Sequence, residues 1–295
     1  MERSGPIDGF SLAFDRFGPE ASDPAVVLLH GWPGDRQDWR AVAPLLVAGE
    51  RATLLVPDLR GFGASDKHRA DPTQAYAAAG QAASVLGLMR ELDLGPSVVA
   101  GYDVGSRVAQ RIAGDAPDAV RALVLAPPLP GAGHRVLSER AVREFWYQSF
   151  HRLDLAERLV DGDRAAVRAY LEHFWTHWSG PGYTPEPREL GRLAEAYGAP
   201  GAFVASIGWY RAGSGTVARS LAERAPAPED RIAVPTTVLW PGHDPLFPAE
   251  WSDRLDEFFS AATLRTLPDA GHFLPLEAPE EFAGAIVEAL RGGND

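Results

Sequence analysis

Ser97-Val98-Val99-Ala100-Gly101-Tyr102-Asp103-Val104-Gly105 begins as a strand and ends as the first turn of a helix. Its apolar run has no polar alternation, which suits a central strand of a parallel sheet covered on both faces. Val104, Val108 and Ile112 then recur at helical spacing, as on a helix lying against that sheet. Gly101 and Gly105 flank Asp103 on either side. Such flanking glycines permit a turn tight enough to throw the central side chain out above the sheet. The helix N-terminus behind that side chain favours negative charge there. Alone the Gly-x-Asp-x-Gly pattern is weak, because many Asp–Gly turns look like it.

The surrounding chain strengthens it. Apolar runs at residues 25–30 (AVVLLH), 52–57 (ATLLVP), 122–126 (ALVLA), 236–240 (TTVLW) and 263–267 (TLRTL) alternate with helical stretches. Residues 75–92 form one such stretch, and Phe282, Ile286, Val287 and Leu290 mark the last. Strands alternating with helices predict right-handed βαβ units in an open, mostly parallel sheet. Between Pro127 and about Arg231 the strand runs vanish and helical periodicity takes over. Five of the seven tyrosines and four of the eight tryptophans fall there. Amphipathic aromatics in a helical insertion between two halves of a sheet read as a lid over a pocket. The expected division is a core of residues 1–127, a helical cap of 128–231 and a core of 232–295, with 225–230 (APAPED) as the linker back.

Composition narrows the function. The chain has 295 residues, 45% of them hydrophobic, and no cysteine. That excludes a disulfide scaffold, a thiolate metal site and a cysteine nucleophile. With 28 basic against 40 acidic residues the net charge is −12, which argues against a nucleic-acid partner. No run approaches the ~18 apolar residues of a membrane span. The N-terminal residues lack the order of a secretory signal, so a cytoplasmic protein is expected. His173 and His177 stand four apart on an expected helix, but without the carboxylate of a His-Glu-x-x-His motif they do not call for a metal.

Three more pieces stand at strand ends: His30-Gly31-Trp32-Pro33, Gly242-His243-Asp244-Pro245 and Gly271-His272-Phe273. A nucleophile, then an acid, then a histidine is the chain order of the α/β-hydrolase fold. On these residues, and on Asp58-Leu59-Arg60-Gly61-Phe62-Gly63-Ala64-Ser65, the sequence resembles the α/β-hydrolase superfamily over essentially its whole length. The resemblance implies a mostly parallel eight-stranded sheet with helices on both faces and a helical cap. It also implies Asp103 as nucleophile, His272 as base and Asp244 as the acid that orients it. The backbone N–H groups of Trp32 and Val104 would form the oxyanion hole, and a cis Trp32–Pro33 bond would suit that sharp loop. Asp269 and Glu277 compete with Asp244 only by nearness in sequence, and His30 reads as structural.

A carboxylate nucleophile suits attack on an sp³ carbon, giving an alkyl ester that water then hydrolyses. This resembles the epoxide hydrolases and the haloalkane and haloacetate dehalogenases. An epoxide oxygen leaves as alkoxide and needs an acid, and a phenol supplies one. Phe145-Trp146-Tyr147-Gln148-Ser149-Phe150-His151 is similar to the epoxide hydrolase segment bearing the first ring-opening tyrosine, which implies Tyr147. Residues 196–203 with Trp209-Tyr210-Arg211 resemble the segment bearing the second, read as Tyr197 with Tyr210 as fallback. Trp146, Trp209, Tyr210 and Arg107 are the expected substrate-binding residues. Val104 stands where haloalkane dehalogenases carry a halide-holding tryptophan. Haloacetate dehalogenases carry Asp-Arg-x-x-Arg at the elbow; here Arg107 survives while Val104 replaces the first arginine, and an ion pair with an acid on its own helix would account for Arg107. The leading expectation is an epoxide hydrolase using no cofactor and acting on an apolar epoxide. The alternatives are a haloacid dehalogenase and a non-hydrolytic ligand-binding member. A homodimer is compatible with the sequence.

Overall fold

Six apolar runs become parallel strands in the computed structural model, which describes residues 1–19, 24–49 and 52–292. They are β3 (Ala25–Leu29), β4 (Thr53–Pro57), β5 (Ser97–Gly101), β6 (Val120–Leu125), β7 (Thr236–Pro241) and β8 (Ala262–Leu267). Two strands were not expected, β1 (Glu2–Arg3) and β2 (Ala13–Phe17). The first has only two residues, and the second mixes Asp15 and Arg16 into its run, so neither has the apolar texture of a covered strand. The eight strands form one sheet in the order β1-β2-β4-β3-β5-β6-β7-β8. β1 with β2 and β2 with β4 are antiparallel, and every later pairing is parallel.

The central strands β3, β4 and β5 are buried along their whole length, as their unbroken apolar sequence requires. Helix Val104–Asp115 and helix Pro279–Arg291 both pack on β5 and β6, one from each face. The single helix expected over residues 75–92 is instead a turn, Pro72–Ala75, and a helix, Ala78–Glu91. Asp71 caps the short turn through the Thr73 amide, and Tyr76, buried, donates its hydroxyl to the His68 carbonyl at 2.6 Å. These contacts hold the chain in an extended step at Ala77 before the longer helix begins.

Between β6 and β7 the described residues contain helices and no strand. Among these helices are Trp146–His151, Arg164–Trp178, Pro187–Gly198 and Gly208–Arg211. The insertion leaves the sheet at the carboxyl ends of its parallel strands, the edge at which open α/β sheets place their ligands.

Candidate active site

Asp103 sits at the carboxyl end of β5 with φ 48° and ψ −122°, a left-handed backbone that an L residue adopts only where the surroundings impose it. Gly105 explains why: a Cβ there would stand 2.0 Å from the Leu29 carbonyl oxygen, so the helix can press onto β3 only if that atom is missing. At Gly101 a Cβ would meet the Gly105 carbonyl carbon at 2.5 Å. The two flanking glycines therefore allow the chain to fold onto itself, and the Asp103 amide is secured by the Pro127 carbonyl at 2.9 Å.

Three loops converge on this carboxylate. The loop after β3 brings the Trp32 amide, which donates to Asp103 Oδ1 at 2.7 Å. The Trp32–Pro33 peptide is cis. The loop after β8 brings His272, whose Nε2 lies 3.5 Å from Asp103 Oδ2. The loop after β7 brings Asp244, whose Oδ2 lies 2.8 Å from His272 Nδ1 while its Oδ1 accepts from the Leu246 amide at 2.8 Å. All three side chains are buried. Burial alone would discharge the imidazole, but Asp244 and Asp103 on either side outweigh it and push His272 up to about 10. Val104 is the first residue of the helix behind Asp103, so its amide is one of the free N–H groups of that helix start.

The remaining candidates separate. Tyr147, on a helix of the insertion, is buried, its ring stacked on Trp32 with centroids 5.6 Å apart and planes within 4°. Its hydroxyl accepts from Gln148 Nε2 at 3.2 Å, and the Tyr210 phenol lies against it. Burial, reinforced by Asp103, raises both phenols far above their ordinary value, so both are protonated. Tyr197 is elsewhere: its hydroxyl donates to the Gly34 carbonyl at 2.6 Å, behind the loop that carries Trp32. Tyr210, the fallback, is thus the second phenol that the fold brings to Tyr147. Their rings lie 5.5 Å apart.

A small cavity of about 10 Å³ meets Asp103, lined by Val104, Arg107, Tyr147, Trp209 and Tyr210 among others. Trp146 does not reach it. One residue from Tyr147 on the same helix, it turns outward and remains 43% exposed, its ring against Phe174. Arg107 does line it, and no acid of its own helix claims it. Its guanidinium donates to the Leu129 carbonyl at 3.1 Å and to Gln110 at 3.4 Å, while Nε has no partner. Burial pulls its charge down to about 10, against the pull of Glu223.

Other residues resolve as scaffolding. His30 uses both ring nitrogens on backbone, Nδ1 on the Gly31 carbonyl and Nε2 on the Leu59 amide. Glu277 accepts from the amides of Gly180, Gly271 and Phe273 and so shapes the His272 loop. His177 bonds Glu144 at 2.7 Å, and among the described residues no cluster could hold a metal. Gln148 was missed as a site residue. It lies in the quoted segment, but a glutamine beside a tyrosine carries no signal until its amide is seen at the phenol.

The family model for the alpha/beta hydrolase fold matches residues 24–279. The chain is an α/β-hydrolase of the epoxide hydrolase-like branch. This α/β-hydrolase is 28% identical to a soluble epoxide hydrolase of Corynebacterium sp. over 285 residues, covering 93% of this chain and 91% of that one. It is 32% identical to a fluoroacetate dehalogenase of Burkholderia sp. over 200 residues, 66% of this chain and 64% of the other. Its fold matches the solved epoxide hydrolase CorEH with a TM-score of 0.82 at 24% identity, over 99% and 98% of the two chains. Among the described residues, no helix of this α/β-hydrolase is long and apolar enough to cross a membrane.

Proposed function

We propose that this hydrolase adds water to a small epoxide through an alkyl ester on Asp103. The observation that carries this is the paired phenols, Tyr147 and Tyr210, both protonated beside a carboxylate whose Oδ1 is already held by the Trp32 amide. Halide departure has no need of such an acid; alkoxide departure does.

Asp103 Oδ2 attacks a ring carbon, the carbon–oxygen bond breaks, and the Tyr147 proton passes to the leaving oxygen. Tyr147 is the donor because Gln148 donates to its oxygen, which leaves its own proton unspent and stabilises the phenolate that forms. Esterification also removes the Asp103 charge that keeps His272 protonated, so the imidazole gives that proton to solvent, becomes a base when a base is needed, and regains a proton from solvent once the Asp103 carboxylate is restored. A water then gives its proton to His272 Nε2 and its oxygen to Cγ of Asp103. The Trp32 and Val104 amides receive the oxyanion. Collapse releases the diol, its alkoxide taking the His272 proton, and the carboxyl proton left on Asp103 restores Tyr147. The space at Asp103, about 10 Å³, is far below the ~300–1,000 Å³ of drug-sized pockets, so the surrounding helices must give way to admit substrate and a small epoxide asks the least of them. The substrate-binding set is Trp209, Tyr210 and Arg107.

A second reading, displacement of halide from a small haloacid, is favoured by one observation. The Arg107 guanidinium at the cavity has an unpartnered Nε that a substrate carboxylate could take. One experiment separates the two. His272→Gln is incubated with small epoxides and with haloacids, and its intact mass is measured. An epoxide adduct on Asp103 supports the first reading, a glycolyl-type adduct with free halide the second, and no adduct on Asp103 from either panel removes both.

A further inference from the structure

The three residues that follow Trp32 are each held by a side chain from the helical insertion. Trp175 Nε1 donates to the Pro33 carbonyl at 2.8 Å. The Tyr197 hydroxyl donates to the Gly34 carbonyl at 2.6 Å. Arg192 closes a two-pronged ion pair on Asp35, at 2.5 and 3.0 Å. Trp175 lies on helix Arg164–Trp178, and Arg192 and Tyr197 lie on helix Pro187–Gly198. The first of these helices also accepts the His272 amide on its Trp178 carbonyl at 2.8 Å. Both loops that serve Asp103 therefore take their position from the insertion.

The reaction as written uses none of these contacts, yet the Trp175 and Tyr197 bonds are buried. The Asp35 side chain is 2% exposed and Arg192 34%, and an ion pair drawn that far out of water is a poor device for stability, since the carboxylate gives up its hydration to form it. What three anchors on three successive residues do supply is a fixed backbone path. The Trp32 amide stands one residue upstream of Pro33, so that path sets where its N–H points. That N–H is the donor on Asp103 Oδ1.

We propose that Arg192 and Tyr197 are positioning residues that aim the Trp32 N–H, so that docking of the insertion sets the rate of ester hydrolysis. The proposal rests on the Asp103-ester reading above. The two chemical steps respond differently to the donor. Charge leaves the Asp103 carboxylate when the ester forms, and it returns to Oδ1 when water attacks. An ill-aimed N–H therefore penalises the second step selectively.

Tyr197→Phe, which removes one oxygen, and Arg192→Lys, which keeps the charge and loses the fork, test this. Amide hydrogen exchange over residues 30–36 is measured without substrate, and rapid-quench intact mass then follows formation and decay of the Asp103 adduct. In both variants exchange at Trp32 should quicken while exchange in β5 stays unchanged. The ester should form at the unmodified rate and decay about tenfold more slowly, part of the ~10²–10³ lost when an oxyanion donor is removed outright. Arg192→Met, which loses the charge as well, should slow decay further than Arg192→Lys. Decay at the unmodified rate overturns the proposal. Formation and decay slowed together would mean general loosening, and slowed formation alone would make Tyr197 a ring-opening acid; either result overturns it. An unmodified protein that never acquires an adduct on Asp103 fails the catalytic reading itself. One that turns over normally beside indifferent variants fails only this inference.

Discussion

His272 Nε2 stands 3.5 Å from Asp103 Oδ2, longer than a good hydrogen bond and short enough for strong attraction between opposite charges. With Asp244 at 2.8 Å on the other nitrogen, the imidazole is pushed up to about 10 from its ordinary 6.5. A histidine with a raised native value adds stability that is fully present below about 6.5 and is lost as pH climbs through about 10. Unfolding free energy of the free protein should therefore fall between these limits by more than it does in His272→Gln. Denaturant melts across that window would show parallel curves if the pairing were absent. Once Asp103 is esterified one carboxylate charge is gone, so ester decay should titrate well below 10. Single-turnover decay against pH reads this directly, and a midpoint unchanged from that of the free protein would contradict it.

The turn at Asp103 predicts a contrast between two glycines of one helix. Gly105→Ala places a Cβ 2.0 Å from the Leu29 carbonyl oxygen, which backbone cannot yield cheaply. It should cost about 3 kcal/mol, at the upper end of overpacking penalties, with a Tm drop of roughly 10 °C. Gly114→Ala in the same helix meets nothing within 4 Å and should be neutral or stabilising by up to ~1 kcal/mol. Thermal melts of the two variants settle the comparison, and equal stabilities would show that the helix does not need to press so closely on β3.

The phenols are not equivalent. Tyr147 accepts from Gln148, so its proton is the one aimed at the leaving oxygen. Tyr147→Phe should slow ester formation by about 10²–10⁴, the range of a lost general acid. Tyr210→Phe and Gln148→Leu should each cost about 10- to 100-fold, the worth of a hydrogen bond to developing charge. Rapid-quench measurement of adduct formation gives all three rates. A Gln148→Leu variant that forms ester at full rate would leave Tyr147 without its orienting donor.

Much of this was legible in the sequence because it is local. The Gly101–Gly105 turn, the unbroken apolar runs of β3 to β6 and the loops carrying Trp32, Asp244 and His272 are each set by a few consecutive residues. Edge strands β1 and β2 escaped, since pairing on an open edge leaves no apolar run. The lid was harder. Its helices are short, and which aromatic points inward depends on how they pack. Trp146 and Tyr147 are adjacent in sequence, yet the first is 43% exposed and the second buried. Tyr197 and Tyr210 are both buried phenols in helices, and only the hydrogen-bond partner separates the strut from the site residue. The Arg192–Asp35 pair spans 157 positions, and no pattern in sequence joins its ends.

Arg107 decides what else a substrate must carry. Its Nε is unpartnered, its side chain borders the Asp103 cavity, and burial already pulls the guanidinium down to about 10, so one donor of a buried cation is left for a substrate to take. A substrate carboxylate would gain a charge-assisted bond there, worth ~1.5–3 kcal/mol, whereas a neutral epoxide would gain nothing from the charge. Arg107→Gln should therefore raise KM for a small haloacid, or for an epoxide bearing a carboxylate, by about 10- to 100-fold with kcat less affected. For an uncharged epoxide of the same size KM should change less than twofold. Steady-state kinetics on the matched pair make the test. If Arg107→Gln impairs both substrates equally, the guanidinium is holding the Leu129 loop and not the substrate.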